Sequence, residues 1–187
     1  MALSIDEQIY CIGDTISSAQ WHFDLWEAIE DSRSDPKNVE AFNKYLEFFR
    51  ATGQSLFESY IISCYQLFET RRDTVSFIQL ERELMSTESF DVDIDPNAVA
   101  SNQLLKPTWQ KICKICNNSV RAYVKRKNIV EIFKGADLNP AEIRAYIEEC
   151  KKLLNNITYR RNQSHDAFNI RGQDAFKNLL SDLRSLL

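Results

Sequence analysis

The chain has 187 residues, 44% of them hydrophobic and 27% charged, which fits one globular domain over 1–187 and excludes disorder along the whole length. Four Gly and four Pro cannot furnish the turn every ten or so residues that a β-sandwich or barrel consumes, which argues against an all-β fold. The net charge of −4 conceals an acidic half, 1–95, with seven Lys and Arg against nineteen Asp and Glu, and a basic half, 96–187, with sixteen against eight.

Helical periodicity runs through almost the entire chain. Ile5, Ile9, Ile12, Ile16, Phe23, Trp26 and Ile29 step mostly by three, four or seven and predict a first helix of about seven turns. Asp35-Pro36 closes the connection and offers a helix start, with Pro where its missing N–H costs nothing. Val39, Phe42, Leu46 and Phe49 form the next stripe, which Gly53 either breaks or weakens. Phe57, Ile61, Cys64 and Phe68 carry a third stripe, and Leu56, Tyr60 and Leu67 widen it into a face buried on two sides. Asp73 or Thr74 could cap a short helix holding Val75, Ile78 and Leu84. Residues 86–97, acidic, alternating and ending in Asp-Pro-Asn, predict an exposed loop.

In the basic half, Leu105, Trp109, Ile112, Cys116, Val120 and Tyr123 make one long stripe with the bases on its other side. Gly135 to Leu138 reads as a turn before a helix capped by Asn139, with Pro140 at its first position. That helix carries Ile143, Ile147, Cys150, Leu154 and Ile157, and Gly172 separates it from a last stripe of Phe176, Leu179, Leu180, Leu183 and Leu187. The expected fold is all-α, an up-and-down bundle of about six or seven helices.

The start of the chain, Met1 to Tyr10, has neither the basic residues nor the apolar run of a signal peptide, and no apolar stretch approaches a membrane span. A soluble, cytoplasmic protein without a membrane partner is expected. Five cysteines without a secretion signal suggest reduced thiols, packed as small core residues. Cys113 and Cys116 form a C-x2-C pair, but two His in no ligand pattern leave it short of a zinc site, so neither metal nor other cofactor is expected. There is no Gly-rich phosphate loop, G-x-S-x-G elbow or H-E-x-x-H, so nucleotide hydrolysis, esterase and zinc protease readings lack support. Trp21, Trp26 and Trp109 lie on or beside helical stripes, where core packing outweighs a role as a base-stacking platform.

Two features carry chemistry. Pro96 to Val130 contains seven bases and no acid; Lys111, Lys114, Arg121, Lys125, Arg126 and Lys127 are its candidate phosphate contacts. The second feature is Tyr159-Arg-Arg-Asn-Gln-Ser-His-Asp166. Cleaving RNA without a metal needs a group of near-neutral pKa to move the 2′-hydroxyl proton, which suits His165. It also needs a permanent cation on the phosphate oxygens as charge builds, which suits Arg160 or Arg161. On an unbroken helix Arg161 lies about 40° from His165, and Arg160 roughly 140°. Either Arg161 is the partner, or the helix breaks after Arg160 with Asn162 and Ser164 assisting as caps. A solvated helix end with a stray His produces the same string, because twelve Arg and two His place such a pair by chance with an expectation of roughly 0.4.

Several stretches resemble the HEPN superfamily of prokaryotic helical bundles, in particular its AbiU-like branch from phage abortive-infection systems. They are the first long helix with its Trp residues, Tyr65-Gln-Leu-Phe-Glu-Thr-Arg-Arg-Asp-Thr-Val-Ser-Phe77, and Arg121 through Glu131-Ile-Phe-Lys-Gly-Ala-Asp-Leu138 into Glu142-Ile143. The resemblance spans most of the chain and is diffuse. It implies a dimer and, in many members, a metal-independent endoribonuclease with the signature Arg, four to six residues, His at the dimer interface. Other members lack the signature and bind RNA or a partner.

Read literally, Arg160 and His165 match that signature with four residues between them. By layout the signature falls instead at Arg121, where Ala-Tyr-Val-Lys-Arg-Lys-Asn follows and no His is present. Under the first placement Arg160 or Arg161 stabilises the phosphorane, His165 acts as acid or base, and Asn162 orients the phosphate. Under the second, the site is a basic binding surface. The expected partners are RNA, a second copy of the chain and, in a toxin–antitoxin setting, a protein antitoxin. The alternative is a non-catalytic helical module whose basic half pairs with an acidic half, its own copy's or another protein's. Charges that are merely solvated are the third reading.

Overall fold

Eight α-helices and one 3-10 turn, with no strand, make up the described residues of the computed structural model. It describes residues 3–86, 96–117, 129–162, 168 and 172–186, and of 96–104, 129, 130, 162 and 172 the backbone alone. The helices are α1 (Ile5–Arg33), α2 (Val39–Lys44), α3 (Leu46–Gln66), α4 (Phe77–Ser86), α5 (Pro96–Ile115), α6 (Ile129–Ala136), α7 (Pro140–Asn162) and α8 (Gly172–Ser185). The expected all-α bundle is what forms. No helix among the described residues is long and apolar enough to cross a membrane.

A capping box sets the start of α1: the Ser4 hydroxyl accepts from the Glu7 N–H and the Glu7 carboxylate accepts from the Ser4 N–H. Asp35 accepts from the N–H of Lys37 and opens the 3-10 turn Pro36–Asn38. The next stripe does not run as one helix. It breaks at Tyr45 (φ −114°, ψ 33°), not at Gly53, which lies buried inside α3. The gain is an aromatic contact. Phe42 and Phe49, about 10 Å apart along the axis of a continuous helix, stack with ring centroids 4.3 Å apart across the bend. Val39 and Leu46, on the same stripe by spacing, are left exposed.

Further along, α4 begins at Ser76, whose hydroxyl accepts from the Gln79 N–H; the cap is neither Asp73 nor Thr74, and Val75 precedes the helix. Of the expected loop over 86–97, Ser86 instead closes α4 and Pro96 and Asn97 open α5, and 87–95 lie outside the described residues. Of the long stripe from Leu105, α5 carries the residues up to Ile112 and Cys116 follows it buried in a π turn; Val120 and Tyr123 lie outside the described residues. Gly135 is helical, and Asp137 (φ 54°) takes the left-handed position that ends α6, with Leu138 N–H donating to the Phe133 carbonyl. Asn139 caps α7 as expected: its side-chain oxygen accepts from the Glu142 N–H, and Glu142 accepts in return from the Asn139 N–H. The break at Tyr45 and the separation of α6 bring the total to eight.

Two hydrophobic clusters hold the bundle. The larger joins α1, α3, α4, α5, α6 and α7 around Phe23, Trp26, Phe57, Tyr60 and Phe133, whose rings pack edge-on or tilted at 5.3 to 6.4 Å. Pairs Phe23–Tyr60 and Trp26–Phe57 show that α1 and α3 run antiparallel. The smaller cluster, Ala28, Ile29, Phe42, Phe49, Phe176 and Leu180, seats α2 and α8 on the far end of α1. Of the tryptophans, Trp26 is buried, Trp109 stacks on Tyr65 and donates to its carbonyl at 3.1 Å, and Trp21 is exposed.

Candidate functional site

α7 lies antiparallel to α1 and is joined to it at two levels. Near its start, Arg144 reaches Asp24 (Nη1–Oδ1 3.6 Å) and Glu27, and its guanidinium rests 5.2 Å from the centre of the Phe23 ring. Gln20 donates to Asp24, and Gln173 at the head of α8 donates to Glu27. Burial pushes both carboxyls above their ordinary values of 3.8 and 4.5, against the pull of Arg144.

At the other end of α7, Arg161 donates from Nε and Nη2 to the two carboxylate oxygens of Asp6, at 2.6 and 3.1 Å. This hydrogen bond holds Asp6 below its ordinary 3.8. Both helix ends carry charge opposite to their dipoles: Asp6 and Glu7 in the first turn of α1, Arg160 and Arg161 in the last turn of α7.

The predicted site residues fall into three groups. Arg160 and Arg161 are consecutive on the last turn of α7, which ends at Asn162; Arg160 and Tyr159 are exposed, while Arg161 is turned onto α1. The Asn162 side chain and His165 lie outside the described residues. Lys111 sits instead at the opposite end of α7, where it donates to Glu142 at 2.7 Å and faces Asp137 at 3.6 Å. Eighteen residues of helix, about 27 Å, separate Glu142 from Arg160, so Lys111 and the arginine pair do not share one surface. Lys114, one turn further along α5, is exposed. Arg121, Lys125, Arg126 and Lys127 lie outside the described residues.

Among the described cations of the second half, Lys111, Arg144, Lys151, Lys152 and Arg161 each face a carboxylate. The acids of α1 that serve α7, Asp6, Asp24 and Glu27, carry no local motif. The one signal for them is that they lie off the apolar stripe of α1 in an acidic half that faces a basic one.

Other chemistries find little footing. Among the described residues no group of three or more His, Cys, Asp or Glu is placed to hold a metal ion. Cys116 is buried and Cys113 half-buried. Burial pushes the Cys64 thiol up to about 12 and Cys150 upward as well, so neither is a thiolate at neutral pH. A cavity of about 180 Å³ opens beside Tyr65, Glu69, Arg71 and Cys116, and none of the candidate site residues lines it. No family model, curated protein or solved structure matches the chain.

Proposed function

We propose that the chain is a HEPN-like, RNA-directed helical protein acting without a metal ion, with its site at the end of α7. Arg160 supplies the permanent cation for the phosphate and His165 moves the proton of the attacking 2′-hydroxyl. The observation that carries this reading is that Arg160 and Arg161 stand side by side in the last turn of α7, with the Arg160 side chain at the surface.

The test is cleavage of total RNA in the presence of a chelator by the protein, His165→Ala and Arg160→Ala. The reading expects cleavage by the wild type and its loss in both variants. Equal cleavage by all three removes the site from the end of α7.

A second reading has its own observation. The charge asymmetry of the halves is in part satisfied within one molecule, by Arg144 with Asp24 and Glu27 and by Arg161 with Asp6. That supports a non-catalytic helical module, for which RNA binding without cleavage, or a protein partner without RNA, is the expected outcome of the same assay followed by a binding titration.

A further inference from the structure

The proposed site contains a guanidinium whose anion place is already taken. Arg161 directs two roughly parallel N–H groups at the two oxygens of Asp6, the same fork that fits two oxygens of a phosphate. The two partners are not equally seated. The Arg161 side chain is 25% exposed, whereas that of Asp6 is 70% exposed and lies at the rim. Asp6 is also not needed to start its helix, because Ser4 and Glu7 cap α1 between themselves. Nor is it needed to dock α7, which Arg144, the Tyr146 hydroxyl on the Cys64 carbonyl and the larger core already hold.

We infer that Asp6 is an internal stand-in for phosphate: its carboxylate occupies an oxyanion site on Arg161 that a phosphate group of the ligand takes by displacing it. The inference rests on the reading of the α7 end as a phosphate site and adds to it a second cation, held in reserve, and a built-in competitor. Displacement requires only rotation of the Asp6 side chain, since its backbone is fixed by the capping box. An ion pair with one partner standing in water is weakly held and salt-screened, so a polyanion bringing many phosphates to the same fork competes with a single carboxylate. A purely structural strut makes the opposite prediction, because removing it loosens the end of α7 and weakens binding.

The experiment is anisotropy of a labelled single-stranded oligoribonucleotide with the full chain at low salt. It compares wild type, Asp6→Asn, Arg161→Ala, Arg160→Ala and the double variant Asp6→Asn/Arg161→Ala, with melting curves as a check on folding. Asp14→Asn, an exposed acid two turns along α1, removes the same charge without touching Arg161. Asp6→Asn should bind about three- to fivefold more tightly than wild type, Asp14→Asn less than twofold, and the double variant no more tightly than Arg161→Ala. Binding by Asp6→Asn that is equal to or weaker than wild type, or an equal gain in Asp14→Asn, overturns the inference while leaving a loss in Arg160→Ala to support the site. Absence of binding in every variant overturns the site and the inference together.

Discussion

The same pair of helices, α1 and α7, is joined twice by an arginine of α7 and carboxylates of α1, and the carboxyls of the two joints are shifted in opposite directions. At the Arg144 joint the acids are largely shielded from water and the cation lies on the Phe23 ring, so desolvation dominates and the carboxyls resist ionising. At the Arg161 joint Asp6 is mostly exposed, and the hydrogen bond from the guanidinium outweighs desolvation and makes the carboxyl more acidic than usual. A joint of the first kind is part of the core and is expensive to disturb. One of the second kind lies at the rim, and it is this joint that the proposed phosphate would open.

Removing the floor under the inner joint should have the largest effect. Phe23→Ala deletes a fully buried ring that touches Trp26 and Tyr60 and supports Arg144, and should cost about 3–5 kcal/mol in urea denaturation. A cost within 1 kcal/mol would mean that the aromatic cluster is not packed as described.

Breaking the inner joint itself comes next. Arg144→Met leaves Asp24 and Glu27 without their cation and should cost about 1–3 kcal/mol near neutral pH, discounted from a fully buried pair because the arginine is 45% exposed. The pH dependence sharpens the comparison. Because Asp24 and Glu27 have raised values in the fold, the folded chain binds protons more readily than the unfolded one. Their contribution to stability therefore grows as pH falls from neutrality through their folded values, and levels off below the ordinary values of 3.8 and 4.5. Asp6 and Glu7, with lowered values, do the reverse: they stabilise above the ordinary carboxylate range and that contribution is lost in acid. On acidification toward the carboxylate range, urea midpoints should gain more in the wild type than in Asp24→Asn, and the penalty for Arg144→Met should shrink. A penalty that grows on acidification would contradict the assignment of the inner joint.

The outer joint should matter least to the fold. Arg161→Gln should shift the melting temperature far less than Arg144→Met, and the shift should vanish in 0.5 M salt, a condition in which exposed pairs are screened within about 4 Å. A loss as large as that of Arg144→Met would make the outer joint a structural strut.

The difference between the joints also marks what a sequence can and cannot disclose. Apolar spacing located α1 and the core faces of α3 and α7, because a helix buries one stripe and the stripe is written at three- and four-residue intervals, and the turn before Pro140 located the cap at Asn139. The same rule ran Val39, Phe42, Leu46 and Phe49 as one stripe and did not show the break at Tyr45, across which Phe42 stacks on Phe49, a contact that no single helix could bring together. The arginines at the end of α7 were legible as a local string. Their partners were not: Asp6 is 155 residues from Arg161 in sequence, and an acid in the first turn of a helix is ordinary. Charge totals of the two halves hinted at pairing but not at which base meets which acid, and so could not foresee that Lys111 would be engaged at Glu142, far from the arginines.

The central claim is that the last turn of α7 meets a phosphodiester chain through Arg160, and the salt dependence of RNA binding tests it most directly. Affinity for a single-stranded oligoribonucleotide, measured at several salt concentrations, should fall in Arg160→Ala, and the slope of log affinity against log salt should become shallower by about 0.7, one single-strand phosphate contact. An unchanged affinity with an unchanged slope would contradict it.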